Sequence, residues 1–428
     1  MNRRNAFRCL ALLIFLTLAA AGLTAGGTTA LRVGHLIDPA TGKAASNQII
    51  LVKDGKIAEV GPAVKIPAGA EVVDLSKAWV MPGLMDAHTH MTFQIMDLGG
   101  GIEGVYLRQS SAARVLVGLR NAKDVLHAGF TTIRDVGNEA NFASIDLRDA
   151  INRGLFDGPT ILTAGKIIAP FGGQSKRISP EQGRFWQYEY IDADTPDEVR
   201  KAVRQDIYYG ADVIKLVADN SPFNYSLAEI QAAVSEAHAA GRAVCVHVFA
   251  GGEPARTCIL GGVDSIEHGM FLEDDLLALM KEKGTALVGT EFPEAHIAAL
   301  DPGGQSFRQA KDFAAAIIDR LRRAYRAGVT LVFGTDTVAH LPGKNRPQMM
   351  LDYLAGWQAA GVPAAETLKA MTTNAAKLLR IEKTRGSLAA GFAADLIAMP
   401  ANPLDDVQAL RGVDFVMKNG KIVRNDGY

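Results

Sequence analysis

The sequence predicts an α/β fold: a (β/α)8 TIM barrel carrying a small β-sandwich domain built from both chain ends. Three observations predict it. Short apolar strands alternate with helical stretches through the middle of the chain. Segments rich in strand formers and tight turns occupy both ends. No Gly-rich phosphate fingerprint follows any early strand, which disfavours a doubly wound open sheet, the other fold with this alternation. The length of 428 residues accommodates a barrel plus an appendage. A hydrophobic content of 48% and a charged content of 21% describe an ordinary globular chain. The formal net charge is −1, with no basic block, so a nucleic-acid or anionic-lipid surface is not expected.

Residues 1–30 read as a signal peptide. Arg3, Arg4 and Arg8 precede an apolar run at 9–22, and small residues follow as far as Thr28-Thr29-Ala30. The run is short for a membrane span, and cleavage is expected between 21 and 30, an uncleaved anchor being the alternative. The mature protein is then periplasmic or secreted and free of the membrane. Losing those three arginines leaves 42 basic against 46 acidic side chains, a net charge of −4. Cys245 and Cys258 remain, one in a strand-like run and one in a helical stretch, and both are expected as buried free thiols.

Residues 31–81 carry strands at 49–53, 56–60 and 71–75, separated by Asp54-Gly55, Gly61-Pro62 and Ala68-Gly69. Residues 391–428 repeat the pattern, with strands at 394–399, 413–418 and 421–424, the last two joined by Asn419-Gly420. Both segments are assigned to one sheet domain. Between them, residues 82–390 give eight candidate strands: 84–90, 131–136, 160–164, 212–217, 243–249, 264–268, 285–288 and 330–334. Helical stretches at 111–128, 197–210, 226–241 and 311–327 intervene. Ala-Gly pairs at 128–129, 240–241 and 327–328 suit helix C-caps before the next strand.

Candidate functional residues fall where such strands end, the face on which barrel active sites are built. His88 and His90 share one side of the strand 84–90, so both imidazoles can reach one cation. Lys215 sits mid-strand in Asp212-Val213-Ile214-Lys215-Leu216-Val217, a costly place for a bare ammonium. His247 interrupts the apolar strand 243–249, His268 closes Ser265-Ile266-Glu267-His268, and Asp336 follows the last strand. Each alone has a structural reading; six at the ends of five strands point to one site.

Together His88-x-His90, Lys215, His247, His268 and Asp336 resemble the binuclear branch of the metal-dependent amidohydrolase superfamily. The entry VMPGLMDAHTH, the strand GFTTIRDVG and the tail TTNAAKLL…GSLAAGFAADLI extend the likeness over most of the chain. LRDAINRGLFDGPTILTAG and SIEHG are similar to the prolidase-like and imidazolonepropionase-like group, which includes ochratoxin-hydrolysing amidases. The resemblance implies two divalent metal ions. His88, His90 and Asp336 would ligate one, His247 and His268 the other, with Lys215 bridging as a CO2-derived carbamate. Such N/O donors suit Zn²⁺ but do not by type exclude Mn²⁺, Co²⁺ or Fe²⁺. The paired metals would hold a bridging hydroxide as nucleophile, with Asp336 as catalytic base and then acid. The implied reaction is hydrolysis of an amide or peptide bond next to a C-terminal residue, as in a dipeptide, a Xaa-Pro or N-acyl aromatic amino acid, or an ochratoxin-type amide.

Relatives often carry a histidine after Gly-Gly in the loop following the third strand, where this chain has Gln174 after Gly172-Gly173. The loop 168–193 is rich in aromatic and basic residues, and reads either as packing or as a pocket with a cation for a substrate carboxylate. Gln174, Arg177, Tyr225, His296 and His340 are the substrate-pocket candidates. A deaminase is less favoured, because Lys215 is present and Glu253 lies six residues beyond His247. A lactonase, an organophosphate hydrolase or an imidazolone-type cyclic amide hydrolase could use the same ligands, and a non-enzymatic scaffold would not be expected to keep all six. The expected partner is a small molecule, with homo-oligomerisation left open.

Overall fold

The computed structural model describes residues 27–95, 101–137, 140–220, 223–249, 251–300, 310–338 and 341–428. The segment 1–30, read from the sequence as a signal peptide, lies outside them apart from its last residues. Of these, Thr29 and Ala30 pair with Val52 and Leu51 as the start of the strand Thr29–Asp38.

Strands from both ends of the chain join in one seven-stranded sheet. The long strand Glu71–Pro82 lies at its middle, parallel to Thr29–Asp38 and antiparallel to Leu396–Met399. Beyond these lie Lys43–Lys53 and Lys56–Gly61 on one side, Phe415–Lys418 and Lys421–Asn425 on the other. Both outer hairpins turn on two residues with positive φ, Asp54 (51°) with Gly55 (76°) and Asn419 (47°) with Gly420 (77°). That geometry matches the twist of paired strands, and Asn/Asp-Gly reaches it most easily. In place of the expected β-sandwich there is one sheet, with a core of Leu31, Val33, Leu75, Leu396 and Phe415 and a second cluster of Ala30, Leu51 and Val64. The Ile57 N–H bonds Phe392 C=O at 2.9 Å and Ala394 N–H bonds Gly55 C=O at 2.9 Å, drawing the far strand back on the chain's last third.

Between the terminal segments the fold is α/β with parallel sheets. Leu84–Thr89, Phe130–Asp135 and Thr160–Thr163 form one. Val213–Val217, Ala243–Val248, Ser265–His268 and Ala286–Val288 form the core of another. Backbone hydrogen bonds leave the first sheet at both margins: Thr163 C=O accepts from Asp212 N–H, just before the second sheet, at 2.7 Å, and Ala87 N–H donates to Phe333 C=O of the segment 330–334 at 2.9 Å. The expected strand 330–334 makes only the bridge Leu287↔Leu331. Two of its other groups are taken elsewhere, Phe333 N–H by Ala370 C=O and Leu331 C=O by the Asn374 side chain.

Helices are capped as their sequences direct. Ser110 caps Ser111–His127, Thr195 with Pro196 starts Pro196–Tyr209, and Ser226 with Glu229 forms a capping box for Leu227–Ala239. The short helix Thr373–Leu378 brings Ala375, Ala376 and Leu379 against Met85, Ala87, Val288 and Val332, filling the end where the central strands begin. The loop 168–193 holds short strands, Ile167–Ala169 and Tyr190–Asp192, that extend the second sheet. Its Trp186 and Tyr190 are buried on Val217, so part of the aromatic content is packing.

Candidate metal centre

The strand Leu84–Thr89 continues directly from the terminal sheet through Gly83, where a Cβ would lie 2.2 Å from Thr131 Oγ1. Every residue of it is buried, including Asp86 and His88. The Asp86 carboxylate accepts from His88 N–H (2.9 Å), Thr335 N–H (3.2 Å) and the Thr335 hydroxyl (2.8 Å). Asp336 N–H in turn donates to His88 C=O at 2.8 Å. These bonds fix the histidine strand against the segment bearing Asp336. Gly334 permits the approach, since a Cβ there would sit 2.9 Å from that of His88.

Around this pair the side chains converge. Asp336 Oδ1 lies 3.1 Å from His90 Nε2 and 3.9 Å from His88 Nε2, and Oδ2 lies 4.0 Å from His268 Nδ1. Potential ligand atoms of His88, His268 and Asp336 all fall within 4.8 Å of one another. The His247 ring packs edge-on to His268 at 4.4 Å, and His88 lies 4.9 Å from His268. Two of these residues have strained backbones, His268 at φ 68° and Asp336 at φ 50°. At His268 the positive φ breaks the strand's alternation, so that Glu267 and His268, though consecutive, serve the same cluster.

Each imidazole has one nitrogen already engaged. His88 Nδ1 meets Glu267 Oε2 at 2.7 Å, His90 Nδ1 meets Gly137 C=O at 2.7 Å, and His268 Nδ1 meets Thr290 Oγ1 at 2.9 Å. His247 Nε2 faces Gln174 Nε2 at 3.2 Å and Asp219 Oδ1 at 3.7 Å. In His88, His90 and His268 this leaves Nε2 for a ligand role, which is how outer partners orient metal-binding histidines. Glu267 is itself held: Arg134 Nη2 donates to Oε1 at 2.7 Å and Ser265 Oγ at 2.5 Å, while Arg134 Nε bonds Ala87 C=O.

The electrostatics suit neutral imidazoles. Burial, reinforced by the Lys215 charge, holds His88 far below the ordinary histidine value and His247 down to about 3. Burial and the neighbouring His247 and His88 do the same for His268. Lys215 is 2% exposed and its Nζ has no hydrogen-bond partner. Burial pushes its pKa down, favouring the neutral amine. An unpartnered amine near three histidines and a carboxylate is an unstable arrangement for protein atoms alone. The donor set fits metal ions of the N/O-preferring kind, with Lys215 needing conversion to an anion to join them.

The remaining candidates separate. Gln174 reaches the cluster, its Oε1 accepting from Tyr190 Oη at 3.3 Å while Nε2 faces His247. Arg177 is exposed and makes no ion pair among the described residues. Tyr225 is buried, and its hydroxyl donates to Ala193 C=O at 2.9 Å. His296 lies 3.4 Å from Asp352 in a separate network with Lys344 and Arg411. His340 falls outside the described residues. Cys245 and Cys258 are buried and not disulfide-bonded. Arg134, Glu267, Thr290 and Asp219 escaped the sequence reading. Arg134 and Glu267 carry the signal that singled out Lys215, a charge inside an apolar strand; Thr290 and Asp219 carry none.

The sequence model of the amidohydrolase family matches residues 79–423. The chain belongs to that family. It is a hydrolase acting on C–N bonds. An ochratoxinase of Aspergillus niger is 28% identical over 425 aligned residues, 92% of this chain and 86% of that protein. An imidazolonepropionase of a Shewanella species is 27% identical, covering 89% of this chain and 94% of its own. A Xaa-Pro dipeptidase solved with methionine in its active site superposes with a TM-score of 0.81 at 31% identity, covering 93% of this chain and 100% of that one. These likenesses place the amidohydrolase with the prolidase- and imidazolonepropionase-like group.

Proposed function

We propose that this amidohydrolase is an exported binuclear metallohydrolase. It cleaves the amide or peptide bond next to a C-terminal residue, in a dipeptide, a Xaa-Pro or N-acyl aromatic amino acid, or an ochratoxin-type amide. The central strands are read as one (β/α)8 barrel, with the seven-stranded sheet as its companion domain and a small molecule as its partner. The observation that carries the reading is the buried, unpartnered Lys215 Nζ, whose charge acts on His88, His247 and His268, in a cluster where His88, His90 and His268 each have Nδ1 already engaged.

His88, His90 and Asp336 would hold one divalent ion, Zn²⁺ first among the candidates, and His247 with His268 the other. Lys215, losing a proton and adding CO2 at Nζ, would supply the anionic carbamate between them. Such ions, when bound, polarise a carbonyl and lower the pKa of water towards ~7. Asp336, with His90 Nε2 3.1 Å from its Oδ1, would take the water's proton and return it to the leaving amine. Gln174, braced by Tyr190, overhangs His247, where a substrate's polar group would meet it. Arg177 on the same loop is offered for the substrate carboxylate. Glu253, which a deaminase reading would recruit, is 85% exposed and ion-paired with Arg256 at 3.5 Å.

The test is a panel of Xaa-Pro, Xaa-Phe and N-acyl-Phe compounds assayed with added Zn²⁺, Mn²⁺ or Co²⁺. Turnover of at least one amide class, abolished by chelation, is expected. Reaction with lactones, phosphotriesters or nucleobase amines and with no amide would overturn the proposal.

A further inference from the structure

At the end where the central strands begin lies a cavity of about 260 Å³, beside the stretch that follows helix Thr373–Leu378. Arg134, Arg242 and Arg380 line it, with Asp212 as the carboxylate of the wall. Three of these four charges are already matched. Arg134 is bound to Glu267, Arg380 Nη2 donates to Asp264 Oδ1 at 3.0 Å, and Asp212 accepts from Arg148 at 2.6 Å. Arg242 differs: among the described residues its side chain makes no ion pair or hydrogen bond, and its Nε is buried without an acceptor. The side chain is only partly buried, so its remaining guanidinium N–H groups can meet an anion that enters the cavity it lines. The rest of the wall is apolar, formed by Leu162, Val213, Leu378, Leu379 and Ile381.

We propose that this cavity binds a small monocarboxylate. Its carboxylate oxygens accept from Arg242, and its apolar body lies along Leu162, Leu379 and Ile381. One unpaired positive charge calls for one negative charge, and the apolar side chains in the mixed wall offer an organic acid a contact that a fully hydrated inorganic ion lacks. The site is separate from the metal centre, and its existence does not depend on which amide the enzyme cleaves.

Isothermal titration of the metal-loaded protein with hexanoate, and in parallel with inorganic phosphate, tests this. Hexanoate is expected to saturate a site that Arg242→Gln weakens at least tenfold. Arg242→Lys should restore part of the affinity, and Lys215→Ala should leave the site in place. The Arg242→Gln protein should melt no lower than wild type without ligand, since it loses an unsatisfied donor, so weakened binding would not be a sign of unfolding. Hexanoate binding that survives Arg242→Gln but disappears in Lys215→Ala would assign the acid to the metal centre and overturn the proposal. Phosphate binding tighter than hexanoate would overturn the monocarboxylate class, and no binding of either would overturn the site.

Discussion

Glu267 and His88 meet 2.7 Å apart in the interior, and the same carboxylate takes a second 2.7 Å bond from Arg134. The guanidinium keeps Glu267 aimed, and Glu267 keeps the His88 proton on Nδ1, leaving Nε2 towards Asp336. Glu267→Gln retains the shape but removes the charge and leaves Arg134 uncompensated. Metal affinity is expected to fall about 10–100-fold, the usual cost of losing such an outer partner. Competition against a chromophoric chelator measures it, with circular dichroism to verify folding. Unchanged affinity would show that the contact does not orient His88.

Lys215→Ala removes the only nitrogen in the cluster able to become a bridging anion. Metal content is expected to drop from about two ions per chain, and hydrolysis to be lost, because carboxylate-type donors that join paired ions are what hold them together. Elemental analysis and an amide assay read both. Full activity after chelation in this variant would remove the carbamate from the mechanism.

Gln174 stands over His247 while Tyr190 fixes its amide. If the amide contacts substrate, Gln174→Ala should lower kcat/KM by the worth of one neutral hydrogen bond, about 0.5–1.5 kcal/mol. Tyr190→Phe should have a smaller effect in the same direction. An unchanged kcat/KM in Gln174→Ala would leave the residue as loop packing.

Acid should unfold the metal-free protein partly through His247. Its folded pKa is held to about 3 by burial, below the ordinary 6.5. Between those values the unfolded chain binds the proton that the folded chain refuses, so stability is highest above pH 6.5 and falls as pH drops towards 3. The check is the difference in melting temperature between wild type and His247→Asn across pH 7 to 4. The gap should change in the variant's favour on acidification; a constant gap would mean the ring is accessible to protons in the fold.

Tyr225 offers the converse test. Its hydroxyl is engaged by Ala193 C=O at 2.9 Å in the packed interior. Tyr225→Phe is expected to lose about 1 kcal/mol of stability, seen in urea denaturation, with kcat/KM unaltered. A fall in kcat/KM without loss of stability would return the residue to the substrate pocket.

The alternation of strands and helices was legible because period-2 and period-3.6 patterns are local. Both Asn/Asp-Gly hairpins were legible for the same reason, being set by the positive φ those pairs accept. The short strands inside 168–193 were not, since three residues are too few to show a period and form only by joining an existing sheet. The strand expected at 330–334 reduces to one bridge, with Ala370 and Asn374, distant in sequence, claiming two of its hydrogen-bonding groups.

By itself the sequence determined the chemistry available: four histidines, a lysine and an aspartate at strand ends, with the apolar lead-ins that bury them. Tertiary structure alone decided how they work together. The Arg134–Glu267–His88 linkage spans more than a hundred residues of chain, and the inward turn of His268 depends on a backbone angle that no local preference favours. Tyr225 and His296 have suitable side chains, but the fold commits their polar atoms to Ala193 and Asp352. A residue's type fixes what it can bond to; only packing fixes which bond it makes.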